Sequence, residues 1–541
     1  MRVFSSTQGT SLPQQVDQKP KVGTDQNDKL AVNTAHTLKL KPATLSSTDL
    51  PPLVATLKAS AGRNAVAFHF PGHKRGEAAP FALTDLIGPH PFFHDVTEIP
   101  ELDMFFNPKG PLLDAKNLAA DLFGAKETWF LVGGTSCGVQ AAVMATCSPG
   151  DTIVLPRNAH VSATTGVIIS GAIPKYIVPQ RSLDWDIAAG ITPSQVETAI
   201  KESKSEGRKL AAVFITSPTY NGICSDVTGI SEICRSQGIP LIIDEAHGAH
   251  FKFHPEMPKT ALEQGADISI QSTHKVLCSS QSSMLHISGD DKVDRERLHK
   301  CLHSLQTTSP NWLLLASLDS ARHQLSTNPD TMFNKTVELA KEAKTMIGKV
   351  PGVLVLDLKD FADSPDLDPL RITIGVWRLG ISGFQAKEVL DDELGIVPEF
   401  VSTNSITLAF SLGTTREHVE RLVSGLESLS KRFFSETNEK TDNKIHTSFA
   451  KKLMPIDNPV MRLSPREAFF ARKMKMKFDK DCVGEVCGEF VCPFPPGIPV
   501  LVPGEVITEE VLSYLQQIKR QGGFVIGTVD TKLDSIVVCE K

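Results

Sequence analysis

Between about residues 112 and 275 the chain alternates between short runs that are apolar on both faces and stretches with helical spacing. TWFLVGG, DTIVLPR, YIVP, AAVFITS, PLIIDEA and DISI read as strands. TSCGVQAAVMATC, HVSATTGVIISG, PSQVETAIKES and the region of ISEICRSQG read as the helices between them, the first capped by Thr or Ser. Strands buried on both faces need cover on both sides, and crossover helices supply it. The pattern therefore implies an α/β fold around a mostly parallel sheet. Upstream, LLDAKNLAADLFGA sets Leu112, Leu118, Ala119 and Leu122 at helical spacing and closes on a Gly. In such a sheet, catalytic and binding groups gather just past the C-terminal ends of the strands.

After about residue 310 the texture changes. Helices PNWLLLASLDSARHQL and TVELAKEAKTMIGK lead into strands VLVLDL, RITIGVW and SITLAFSL, with helices FQAKEVLDDELG and REHVERLVSGLESLSKRF between and after them. The expected segments are a polar extension 1–48, a major unit 49–325, a smaller α/β unit 326–437 and a third unit 445–541 containing VCPFPPGIPVLVPGE. Residues 1–48 hold too few apolar side chains to build a core, so they read as a disordered extension or a targeting segment. Asp17, Asp25 and Asp28 speak against a clean transit peptide.

The net charge of −6 comes from 56 basic and 62 acidic residues with no block of either sign, which argues against nucleic acid or an anionic membrane as partner. No apolar run approaches the roughly 18 to 20 residues that span a bilayer. Ten Cys without regular pairing point to free thiols in a reducing compartment, and C-x4-C-x4-C at Cys482, Cys487 and Cys492 is no zinc spacing.

The strand ends carry the chemistry. GGTSCG (133–138) sits between a strand and a helix, where Thr135 and Ser136 serve either as helix caps or as part of an anion site. In LIIDEAHGAH (241–250), Asp244 is the first charge after a buried strand and needs a partner, for which a protonated pyridine nitrogen is suited. DEAH also labels a helicase family, but the GxxxxGK[ST] loop which that reading needs is missing from the chain. His247, His250 and His254 raise the possibility of a metal, yet they lack a helical register; no metal is expected. In STHK (272–275), Ser272 and Thr273 suit a phosphate, His274 faces the substrate side, and Lys275 is placed to form an imine with an aldehyde cofactor. A free amine there requires desolvation or nearby positive charge to lower its pKa.

The order glycine-Ser/Thr turn, Asp after a strand, then Ser-Thr-His-Lys resembles pyridoxal phosphate (PLP) enzymes of fold type I. FHFPGHKRG, FGAKETWFLVGGTS, PRNAHVS, SPTYNG, DEAHGAH, STHK and PFPPGIPVLVPGE resemble, more narrowly, the bacterial-type Orn/Lys/Arg decarboxylases in their short, wingless form. The resemblance runs from about residue 50 to the C-terminus. It implies that 49–325 is the PLP-binding major domain and 445–541 the family's C-terminal α+β domain. By the same resemblance Lys275 would hold the cofactor aldehyde and Asp244 its ring nitrogen. His160 would stack on the ring, Ala246 would pack beneath it and His247 would lie beside it. Thr135, Ser136 and Ser272 would hold the phosphate, and Lys275, His274 and Asp244 would be the catalytic residues. Met104 and Phe105 depart from the family pattern near the expected site mouth.

The implied reaction is α-decarboxylation of a basic amino acid in polyamine biosynthesis, with arginine first, lysine second and ornithine third. Asp95, Glu98, Glu101, Asp103, Glu485 and Glu489 are candidates for the substrate's distal charge, though each reads more readily as structural. An aminotransferase or an aldolase of the same fold is the alternative; the former needs an Arg on the α-carboxylate, and Arg371 is available. The resemblance also implies a homodimer or higher homo-oligomer with shared active sites. The expected location is cytoplasmic, or the plastid stroma if 1–48 is a targeting segment.

Overall fold

A seven-stranded sheet organises the major part of the molecule. Its order is Glu127–Leu131, Ser283–Ile287, Ile268–Gln271, Leu241–Asp244, Leu210–Thr216, Thr152–Pro156, Ile173–Ile177. This is a computed structural model; it describes residues 49–435 and 459–541, except positions 64, 183, 362, 495, 496, 521 and 541. The expectations for residues 1–48 lie outside the described residues. The strands from Ile268–Gln271 to Ile173–Ile177 are parallel to one another. Alternate residues feed opposite faces: Ala212, Phe214 and Ile242 join one buried cluster, Val213, Ile215 and Ile243 the other.

One strand of this mostly parallel sheet was not read from the sequence. Glu127–Leu131 pairs only with Ser283–Ile287, and antiparallel. The sequence reading missed Ser283–Ile287 because SSMLHI follows a run of hydroxyls. The chain between Val276 and Ser283 is far too short for the dozen or more residues of a parallel crossover, so the strand must run back.

Arg371–Gly375 and Ser405–Ala409 form the centre of a four-stranded antiparallel sheet. Its core is continuous with that around Pro52–Ala61, Pro111–Phe123 and Trp312–Thr327: Leu53, Leu112, Trp312, Ile372 and Leu426 belong to one buried cluster. Leu118, read as apolar at helical spacing, is 42% exposed, and Ala115, Ala119 and Phe123 carry that helix's buried face instead. Towards the C-terminus, Lys473–Lys477 pairs with Ser535–Cys539, Cys492–Phe494 pairs with Phe524–Ile526, and helix Glu509–Arg520 packs over them. Among the described residues no helix is long and apolar enough to cross a membrane, and all ten Cys are unpaired.

Candidate active site

The parallel strands end together, and the turns that leave them meet. Helix Gly134–Thr146 starts from Gly133, with no side chain capping it. Thr135 and Ser136 are thus not the caps expected; they lie inside the first turn. Thr135 bonds across to the turn at Ser272 and to the first residue of strand Ser283–Ile287, with its Oγ1 2.5 Å from Ser272 Oγ and 2.8 Å from Ser283 Oγ. The first-turn N–H groups stay free of side-chain caps beside this hydroxyl cluster, which is the arrangement an anion needs. Ser136 is exposed, and no hydrogen bond is made by its hydroxyl among the described residues.

Asp244 ends its strand almost sealed from water, taking a hydrogen bond from the Ala246 N–H at 3.1 Å. Burial raises its carboxyl above the usual range, while Lys275 and His160 pull it back down. Lys275 stands on the short helix Thr273–Val276, with Nζ 2.9 Å from His247 Nε2. Burial lowers its amine from the ordinary lysine value; Asp244 opposes this and Arg371 adds to it. His247 is pushed well below the ordinary histidine range by burial, with Lys275 and Arg371 as further causes. Arg371 Nη2 donates to His247 Nδ1 at 3.1 Å. Gly222 in SPTYNG makes room for this: at φ +89° it is in the left-handed region, and a Cβ there would lie 2.8 Å from Arg371 Cβ. Tyr220 packs edge-on to His247 with ring centroids 5.0 Å apart.

His160 caps helix Val161–Ser170, its Nδ1 held by Ser162 N–H at 3.3 Å and Ser162 Oγ at 2.8 Å. Gly497, at φ +89°, packs against it from the Pro/Gly-rich C-terminal segment. Arg157, three residues earlier, ties that segment down. It donates from Nε and Nη2 to Glu505, from Nη1 to Pro499 O and from Nη2 to Val500 O, all at 2.7 to 3.0 Å.

His274 is half-buried, with Nδ1 2.9 Å from Ser282 O. His250 bonds Asp368 at 3.1 Å and His254 accepts from the Glu256 N–H, so the three histidines of the metal alternative have separate partners. The candidate carboxylates have structural partners too. Asp95 pairs with His73, Glu98 and Asp103 accept backbone N–H groups within 98–110, Glu101 pairs with Arg63, and Glu489 accepts from Val529 and Val537 N–H. Phe105 is buried in the main core, while Met104 is 58% exposed.

Two family descriptions match the sequence: Orn/Lys/Arg decarboxylase, major domain, over residues 51–361, and Orn/Lys/Arg decarboxylase, C-terminal domain, over residues 448–524. The chain belongs to the Orn/Lys/Arg decarboxylase family. The decarboxylase is 34% identical to the arginine decarboxylase of Bacillus subtilis (strain 168) over 91% of its own chain and 98% of that protein. Its structure resembles the lysine decarboxylase of Francisella novicida with a TM-score of 0.76 at 25% identity, over 91% of this chain and 82% of that one. Lysine decarboxylase A from Pseudomonas aeruginosa superposes with a TM-score of 0.78 at 22% identity, over 91% and 81%, and shows the same fold. The fold is that of PLP-dependent fold type I enzymes, and the chain is an amino acid decarboxylase; the aminotransferase and aldolase alternative is set aside by the family.

Sequence reasoning about the decarboxylase missed three neighbours of Lys275 or Thr135. Ser283 was hidden in an unrecognised strand. Arg371 had been weighed only for an aminotransferase. Glu399, an exposed carboxylate whose charge acts on Lys275, had no motif to mark it.

Proposed function

We propose that this chain converts arginine to agmatine and CO2, with PLP as its resident cofactor, in polyamine biosynthesis. The observation that carries the reaction is one buried cluster holding both an amine driven toward its neutral form, Lys275, and a carboxylate in need of a cation, Asp244. The residues fit PLP: Lys275 for the aldehyde, Asp244 for the ring nitrogen, and His160 and Ala246 for the two ring faces. His247 would lie beside the ring, and Thr135, Ser136, Ser272 and the first-turn N–H groups of Gly134–Thr146 would hold the phosphate. When bound, PLP supplies the electron sink for the pair left on Cα as CO2 departs. The chain's own part is orientation and electrostatics. Lys275 offers a nucleophilic ε-amine because desolvation disfavours its ammonium form. Asp244, once ionised, holds a proton on a base set against it. His274, whose Nδ1–H donates to the Ser282 carbonyl, can return a proton to Cα from Nε2 when the ring is doubly protonated.

The arginine choice rests on the named arginine decarboxylase relative along nearly the whole chain. Separate incubations with arginine, lysine and ornithine test it: agmatine and CO2 from arginine alone are expected, and preferential release of cadaverine or putrescine overturns it. We also propose a homodimer. Phe68, Phe70, Phe81 and Leu86 are 91, 79, 81 and 78% exposed, an apolar surface that a second subunit would cover. Phe68→Ser with Phe81→Ser should shift sedimentation from dimer to monomer; a wild type that sediments as a monomer ends the proposal. Ten free thiols suit a reducing compartment, and the cytoplasm is where we place the enzyme.

A further inference from the structure

Arg371 can only donate, and its Nη2 meets His247 Nδ1 at 3.1 Å. Nδ1 must therefore present its lone pair. A neutral imidazole carries one ring proton, so that proton sits on Nε2. Nε2 is 2.9 Å from Lys275 Nζ. An ammonium at that distance would set N–H against N–H, whereas a free amine offers a lone pair. We infer that Arg371 and His247 are positioning residues that hold Lys275 as a free amine: the guanidinium locks the ring tautomer, and the ring donates to the lysine nitrogen. The inference rests on the reading of Lys275 as the nucleophile.

The surroundings fit this role. Around Lys275 stand Asp244 from the sheet, Glu399 before strand Phe400–Val401, and Arg371. The two carboxylates favour ammonium, so the bond from His247 works against them. Around His247 stand Lys275, Arg371, His160 and His250, none of them an acid. Asp368, the acid nearest in sequence to Arg371, gives Oδ1 to His250 and to the Leu370 N–H. Arg371 Nε and Nη1 are buried with no hydrogen-bond partner among the described residues, so Asp368 and Glu399 oppose the guanidinium charge without a direct ion pair. Burial, Lys275 and Arg371 together keep His247 neutral, which the lock requires.

The test uses the full-length protein freed of PLP. Labelling with an amine-specific acylating reagent across pH, read at Lys275 by peptide mass spectrometry, gives the amine's pKa. His247→Leu and Arg371→Met should raise it by about one unit, a tenfold loss of free amine at fixed pH. His247→Gln keeps an acceptor for Arg371 and a donor for Lys275, and should leave it near wild type. An unmoved pKa in folded His247→Leu, or His247→Gln shifting as far as His247→Leu, overturns the lock. Should the variants not fold, a neutron structure of the wild type decides: the His247 proton on Nε2 alone supports the lock, and one on Nδ1 refutes it. Borohydride reduction after adding PLP, with mass gained at Lys275, reports separately on the underlying reading.

Discussion

Arg157 and Arg371 are both sealed from water, and their surroundings are opposite. Arg157 forks onto Glu505 and spends its other donors on the carbonyls of Pro499 and Val500. Glu505 also accepts the Val502 N–H, so both charges are fully engaged. Among the described residues the Arg371 side chain makes one hydrogen bond, to a histidine, and leaves Nε and Nη1 without partners. Burying a charge costs free energy unless hydrogen bonds and an opposite charge offset it. At Arg157 they do, and the result is a joint between PRNAH and the C-terminal segment. At Arg371 the hydrogen bonds do not, and Asp368 and Glu399 oppose its charge only through space, so its positive field still bears on His247 and Lys275. A fold can use a buried guanidinium as a fastener or as a source of field, and the number of satisfied donors tells which.

The sharpest way to break this contrast is to remove the group that the field acts on. Lys275→Ala should lower turnover by a factor on the order of 10^4 to 10^6, as loss of a nucleophile does in other enzymes. Urea denaturation should show little loss of stability, because the group that leaves is an amine whose charged form burial disfavours and which makes one hydrogen bond. Next comes the fastener. Glu505→Ala strands the Arg157 charge and should cost about 3–5 kcal/mol, read as a lower denaturation midpoint. Arg371→Met, by contrast, removes a buried charge that has one hydrogen bond and no ion pair among the described residues, and should change stability by about 1 kcal/mol or less in either direction. Equal losses from the two changes would erase the distinction.

Between these extremes lies Glu245, next to Asp244. It takes hydrogen bonds from Ala261 N–H, Ser269 and Gln271, and burial pushes its carboxyl up to about 7. From about 4.5, the ordinary value, up to about 7, the native state keeps a proton that the unfolded chain has lost. Stability therefore falls as pH rises through that window, by up to about 3 kcal/mol, and levels off above it. Glu245→Gln should flatten that slope when denaturation is followed from pH 4 to pH 8; an unchanged slope would show that the acid stays ionised throughout.

Much of this was legible in the sequence, for reasons that can be named. Asp244 and Lys275 stood out because each follows a short apolar run, where a charge must have a purpose. The run of paired strands and helices gave the parallel sheet. Arg371 and His247 are 124 positions apart, and Arg157 and Glu505 are 348 apart. No period or spacing links such residues; only the packing of the smaller sheet and the C-terminal segment onto the first sheet brings them together. The antiparallel strand Ser283–Ile287 was lost for another reason: its neighbours Ser279, Ser280 and Ser282 have loop composition, and five buried residues are too few to outweigh them.

The same contrast of satisfied and open groups predicts a small effect at Thr135. Its hydroxyl bridges Ser272 and Ser283, so the cluster is satisfied internally, yet Ser136 beside it is open to solvent. Thr135→Val deletes the bridge and takes a partner from two buried serine hydroxyls, Ser272 and Ser283. The stability penalty should then be that of stranded buried hydroxyls, about 1–3 kcal/mol, still below the loss of an ion-pair partner. If the cluster holds the phosphate, PLP should dissociate roughly five- to tenfold more readily in this variant. Equilibrium dialysis would measure that change. A loss beyond a thousandfold would mean that the cluster is as closed as the Arg157 joint, and unchanged affinity would move the phosphate away from this turn.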